Sequence, residues 1–224
     1  MPTTHKSFSQ DLKSASAAEW RQAHEDHPFV RGLGDGTLSL SRFQFFMRQD
    51  YLFLIGYCRV LGMAVAKSPD LDSMSRWARL LDETLGSEMA LHRSFCADFG
   101  ITAAELEKTV PAPATTAYLG HLAAVAETGP IGEIAASLLP CQWGYDEIGR
   151  RLSAKKSAPP GSFLARWIEG YCSPEYRAVT VWLRSFVDTL GAAADPGERS
   201  KMDAVFRTSI EHELAFWDQA WNAT

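Results

Sequence analysis

Apolar positions recur at three- and four-residue spacing along almost the whole chain, and no stretch alternates strictly enough to read as a strand. The pattern predicts a first helix over about 9–25, followed by turn residues in HPFVRGLGDGTLS. A long second helix, capped by Ser39 or Ser41, runs to about Ser68, before Pro69. A third covers about 70–99 and stops at Gly100, and AAELEKT is a short helical piece. Another helix covers about 114–127, and Pro130 suits the first turn of one reaching about Lys156. KKSAPPGS is a loop and SFLARWIEGY a short helix. Ser173-Pro174-Glu175 supplies a cap, a first-turn proline and an acid for a helix to about Leu190. GAAADPGE reads as a turn, and a last helix reaches about Asn222. Seven or eight substantial helices, with no sheet, repeat or linker, predict one all-α domain, a helical bundle over 1–224.

Polar groups interrupt the apolar faces at three places. Asp50 lies among Phe43, Phe46, Met47, Phe53, Leu54 and Tyr57 at helical offsets. A carboxylate there is costly unless it is paired. Either an arginine such as Arg48 or Arg59 pairs with it, or it faces a wet crevice, or it is an acceptor for a ligand. In the last helix the apolar stripe is Phe206, Ile210, Leu214, Trp217 and Trp221, and Glu213 falls on it. Glu211 lies about 200° away and is a surface acid. Glu213 is either a structural carboxyl held by a tyrosine or arginine, or an acid with a raised pKa suited to proton transfer. The third place is LLPCQWGYDEIG. Cys141 and Tyr145 share a helix face, and Pro140 removes a backbone donor and is expected to kink the helix beside the thiol. Cys141 is a core cysteine or a nucleophile; no histidine lies one turn away, so a nucleophile here needs activation from another helix.

Composition narrows the classes. A net charge of −5 leaves no basic surplus for phosphates, so no nucleic-acid partner is expected. No apolar run reaches the roughly 18 residues that span a bilayer, and MPTTHKSFSQ has no apolar secretory core, so a cytoplasmic protein without a membrane partner is expected. Cys58, Cys96, Cys141 and Cys172 form no CxxC pair, and four free thiols are the default. Glu88 and His92 are spaced four apart rather than the three of helical di-iron sites, and read more simply as a polar pair. His5, His24, His27 and His121 have no ligand-like spacing. No metal and no cofactor are called for.

Taken in order, HPFVRGLGDGTLSLSRFQFFMRQDY, EMALH, LLPCQWGYDEIG, WIEGY and EHELAFWDQAW resemble the TenA family, the thiaminase II or aminopyrimidine aminohydrolase group, in its cysteine-containing branch. The resemblance implies a haem-oxygenase-like helical fold, usually a homotetramer. It implies hydrolysis of 4-amino-5-aminomethyl-2-methylpyrimidine, or of thiamin, to 4-amino-5-hydroxymethyl-2-methylpyrimidine in thiamin salvage. Cys141 stands at the position of the family's nucleophile, which adds to C6 of the pyrimidine.

The resemblance also implies roles for the other groups. Asp50 would bind the aminopyrimidine edge, and Glu213 would bind the ring and act as acid/base near the leaving group. Tyr145 and Tyr171 would orient the cysteine and substrate, and Tyr118 and Phe216 would flank the ring. Phe53 stands where many members have a tyrosine, keeping the stacking surface without the hydroxyl; with Tyr57 it completes the expected substrate-binding set. Alternatives are another enzyme on the same fold, a di-iron or cofactorless oxidase, or a non-catalytic pyrimidine-binding regulator.

Overall fold

The computed structural model describes residues 7–156 and 158–223, so His5 lies outside the described residues. Among them every regular element is helical. The first predicted helix is divided: α1 (Phe8–Ala15) and α2 (Ala17–Arg21) part at Ser16, and a π-type turn, Gln22–Asp26, follows. The supposed turn after it holds a helix, α3 (Pro28–Asp35). His27 Nδ1 accepts from the Phe29 N–H at 3.1 Å, Pro28 occupies the first turn, and Gly36 ends the helix at φ 78°. Its two internal glycines had suggested a loop, but its apolar residues Phe29, Val30 and Leu33 are fully buried, and packing outweighs propensity.

Helix α4 (Leu40–Ala66) is capped by Ser39, whose Oγ accepts from the Arg42 N–H. The single helix expected next is two, α5 (Leu71–Glu83) and α6 (Met89–Asp98), joined by a π-type turn at Thr84–Glu88. Thr84 Oγ1 donates to the Leu80 carbonyl at 2.8 Å and Gly86 lies within the turn; both weaken the regular helical ladder there. Then come α7 (Ala103–Glu107), α8 (Pro113–Thr128), α9 (Ile131–Lys155), α10 (Phe163–Tyr171), α11 (Pro174–Ala193) and α12 (Pro196–Trp221). The α11–α12 connection is shorter than the expected turn. Asp195 caps α12 in a reciprocal pair with Glu198, and Pro196 opens it. Asp-Pro-Gly-Glu carries that start pattern plainly in the sequence.

Helix α9 runs through the middle of the bundle, buried along most of its length, with α12, α11, α10 and α8 packed around it. It continues as one helix with Pro140 inside it. A fully buried Asp146 accepts from Arg150 at 2.9 Å and from Arg177 of α11 at 2.6 Å, tying the two helices together. Gly149 allows a close approach of backbone to backbone: a Cβ there would lie 2.6 Å from the backbone carbon of Tyr171 at the end of α10. Because the obstruction is backbone, α10 sits where it does only with glycine at 149.

Candidate active site

Five helices and the π-type turn bring the predicted polar residues to one place. Helix α4 contributes Asp50, Phe53 and Tyr57, all on one face and all buried. Helix α9 contributes Cys141 and Tyr145, α12 contributes Glu213 and Phe216, and α8 contributes Tyr118. Tyr171 enters from the end of α10, and Glu88 from the end of the π-type turn.

The Asp50 partner is neither Arg48 nor Arg59; Arg59 is exposed. It is His92 of α6, whose Nε2 lies 2.6 Å from Asp50 Oδ2, with the two residues 2% and 3% exposed. His92 Nδ1 lies 3.0 Å from the Glu88 carbonyl. A carbonyl only accepts, so Nδ1 carries a proton, and Nε2 shares a second proton with the carboxyl. Burial alone would push the imidazole down, but Asp50 and Glu88 outweigh it and hold His92 above its ordinary range. The proton that His92 holds is thus set directly against Asp50 in the core, where an unpaired charge would be costly. The Glu88–His92 relation expected from spacing exists, but it runs through the Glu88 backbone.

Glu213, 2% exposed, accepts from Tyr118 Oη at 2.7 Å. Burial pushes its carboxyl up to about 8, against the opposing pull of the Tyr118 hydrogen bond; the Asp50 charge adds to the rise. Cys141 is half-buried, and its thiol lies beside the Glu213 carboxyl. Burial first, then the Glu213, Asp50 and Glu88 carboxyls, hold this thiol well above the ordinary cysteine range. The resting group is thus S–H, not thiolate, and a carboxylate beside it can take the proton. The carboxyl beside this thiol stands on another helix, α12.

Aromatic rings fill the rest. Phe53 packs on Tyr118 at 4.9 Å and on Phe216 at 5.7 Å between ring centres. Tyr145 meets Tyr171 edge-on at 4.9 Å. The Tyr145 hydroxyl lies near Asp50, Glu213 and Cys141 and has no hydrogen-bond partner among the described residues. Tyr171 Oη donates to Glu88 Oε1 at 3.3 Å. Burial pushes Glu88 up to about 7, partly countered by His92. A cavity of about 370 Å³ adjoins this cluster, with Tyr57, Glu88, Tyr171 and Tyr176 among its walls.

The family model described as TENA/THI-4/PQQC matches residues 14–223. The chain belongs to the TENA/THI-4/PQQC family. It is 40% identical over 216 residues to a protein of Halalkalibacterium halodurans named aminopyrimidine aminohydrolase, covering 96% of each chain. A solved TenA homologue from P. horikoshii OT3 superposes with a TM-score of 0.89 at 29% identity, over 98% of this chain and all of that one. A haem-oxygenase-like domain from Shewanella denitrificans, at 15% identity and a TM-score of 0.74, covers 95% of this chain and 91% of its own; it shares the fold. The all-α, haem-oxygenase-like architecture expected from the sequence is the one observed.

In this TENA/THI-4/PQQC member all nine residues singled out beforehand belong to one connected cluster. Three were missed as site residues: His92 and Glu88, set aside as a polar pair, and Tyr176. The sequence did carry a hint of His92. Its helix is amphipathic, and a histidine on the buried side needs a partner, as Asp50 does.

Proposed function

We propose that this chain is an aminopyrimidine aminohydrolase of thiamin salvage, acting on 4-amino-5-aminomethyl-2-methylpyrimidine or thiamin by covalent catalysis from Cys141. The observation that carries it is the Cys141 thiol set against Glu213, which Tyr118 holds in place, next to the Asp50–His92 pair. The similarity to proteins named aminopyrimidine aminohydrolase supports the substrate class. Asp50 accepts from the amino edge of the pyrimidine, and its charge is kept by His92. Phe53, Tyr57, Tyr118, Tyr171 and Phe216 form the substrate's surroundings, and Tyr145 has a free hydroxyl to offer it.

Glu213 takes the thiol proton as the sulfur bonds to C6, and the displaced ring electrons collect at C5. They expel the group on the 5-methylene, and Glu213 delivers its proton to the departing amine. Water then adds to the methylene carbon and loses a proton to Glu213. The C6–S bond breaks with its electrons on sulfur, which recovers the proton. The net change is amine plus water to alcohol plus ammonia, and neither metal nor cofactor takes part.

The same reading treats residues 1–224 as one working unit, acting in the cytoplasm as a homotetramer. Four unpaired cysteines suit a reducing compartment. The test is product formation from both pyrimidines by wild type and Cys141→Ser. Hydroxymethylpyrimidine from wild type, with a loss of at least about 1,000-fold in the variant, is the expected result. Equal turnover by both proteins removes the cysteine mechanism. A folded wild type inert on both compounds removes the function.

A further inference from the structure

Helix α8 carries Tyr118, which donates to Glu213, yet its own sequence does little to fix its start. It opens on Ala112 and Pro113 and has no side-chain cap. The free amide donors at that start are met from the two helices that bear Asp50 and Glu213. Gln49, the neighbour of Asp50 on α4, accepts from the Ala112 N–H at 2.9 Å and from the Thr115 hydroxyl at 2.8 Å. Gln219 of α12 accepts from the Thr115 N–H at 3.3 Å and donates to the Thr115 hydroxyl at 2.8 Å. Thr115 is fully buried and Gln49 is 4% exposed, so these bonds cannot be exchanged for bonds to bulk water.

A second tie lies one turn beyond Tyr118. His121 Nε2 and Ser209 Oγ of α12 are 2.9 Å apart, with Ser209 fully buried. Burial, aided by the neighbouring His212, pushes His121 down to about 4, so its ring meets the hydroxyl as a neutral partner. His212 in turn lies on the Tyr118 ring, 13° from parallel at 5.3 Å between centres. Residues 115, 118 and 121 follow one side of α8. They meet 219, 213 and 209 of α12 in antiparallel order, so the Tyr118–Glu213 bond is the middle rung of three. The proposed proton transfers use neither outer rung.

We propose that Thr115 and His121 are positioning residues: through Gln219 and Ser209 they lock α8 against α12 and hold the Tyr118 hydroxyl on Glu213. A helix moves as a unit, so a slip of α8 by about 1 Å takes Tyr118 Oη out of hydrogen-bond range. Glu213 then keeps its proton more tightly and accepts the Cys141 proton less readily. This inference rests on Glu213 as the base for Cys141 and adds the residues that fix its strength.

The test reads Glu213 itself. Carbon-13 NMR of the full chain with labelled glutamate, assigned with Glu213→Gln, follows its carboxyl titration in wild type, Thr115→Val, Ser209→Ala and the double variant. The titratable groups facing Glu213 are Tyr118, Asp50 of α4, and Cys141 and Tyr145 of α9, and all are intact in these variants. Each single change should raise the midpoint by about 0.4 unit and the double by about 0.8, with kcat/KM at pH 7 about sixfold lower. Thr115→Ser, which keeps the hydroxyl, should titrate as wild type. In a Tyr118→Phe background the same changes should move the midpoint no further, because they act only through that hydroxyl. An unchanged titration in both single variants, or an equal further shift without the Tyr118 hydroxyl, overturns the inference. If wild type hydrolyses neither pyrimidine while the Tyr118-dependent shift holds, the hydrolase reading fails and the positioning role stands.

Discussion

Glu213 is the residue at which chemistry and stability meet. Its carboxyl is raised from an ordinary 4.5 to about 8, chiefly by burial. The folded chain therefore holds this proton more tightly than the unfolded chain does. Stability from this group is fully present below pH 4.5 and is lost as pH rises towards 8. Glu213→Gln removes that loss, so thermal melts between pH 5 and 8 should show a flatter Tm profile in the variant. As base for the Cys141 thiol, Glu213 must be ionised, so wild-type kcat/KM should climb with pH to an apparent pKa near 8. The variant should lose both the climb and most of the activity; a wild-type profile flat from pH 6 to 9 would reject this role. His92→Gln makes a different prediction. It leaves the Asp50 carboxylate buried without a cation, at a cost of about 3 kcal/mol. For a chain of this length that lowers Tm by roughly 6–12 °C, and a change of under 2 °C would mean that the pair carries no charge.

At the scale of elements, the site depends on how closely helices approach. The 2.6 Å gap that a Cβ at 149 would leave to the Tyr171 backbone cannot be relieved by a rotamer change. Gly149→Ala should therefore cost about 1–3 kcal/mol and displace Tyr171 from the cluster, raising KM as well as lowering Tm. Gly120, on α8, has nothing within 4 Å of its Cβ position. Gly120→Ala should stabilise by up to about 1 kcal/mol through helix propensity, with activity unchanged. Chemical denaturation of the two variants, moving in opposite directions, checks the pair.

For the whole molecule, the matter is which surfaces remain for partners. Leu71 and Val110 are each 78% exposed and Leu85 57%. Single exposed apolar residues are ordinary, but these lie on separate parts of the chain, α5, the π-type turn and the α7–α8 connection, and are candidates for burial between copies. Light scattering on the purified chain should give four times its 24.8 kDa mass; a mass that stays at one chain at all concentrations rejects the tetramer. No helix among the described residues is long and apolar enough to cross a membrane.

Short-range order was legible from the chain itself. Helical spacing, the caps at Ser39 and Ser173, and the inward side of Glu213 all depend on residues within a few positions of one another. The caps at Asp195 and His27 are equally local, but the glycines beside them also fit turns, and burial of the apolar faces decides for helix. The partners of the buried charges were not legible. Asp50 finds His92 across 42 positions, and Glu213 finds Tyr118 across 95. Periodicity says that a carboxyl faces inward, but which group meets it depends on how the helices cross and where they break. The π-type turn at Thr84–Glu88 and the glycine contact at 149 set those crossings, and only the packed bundle fixes them.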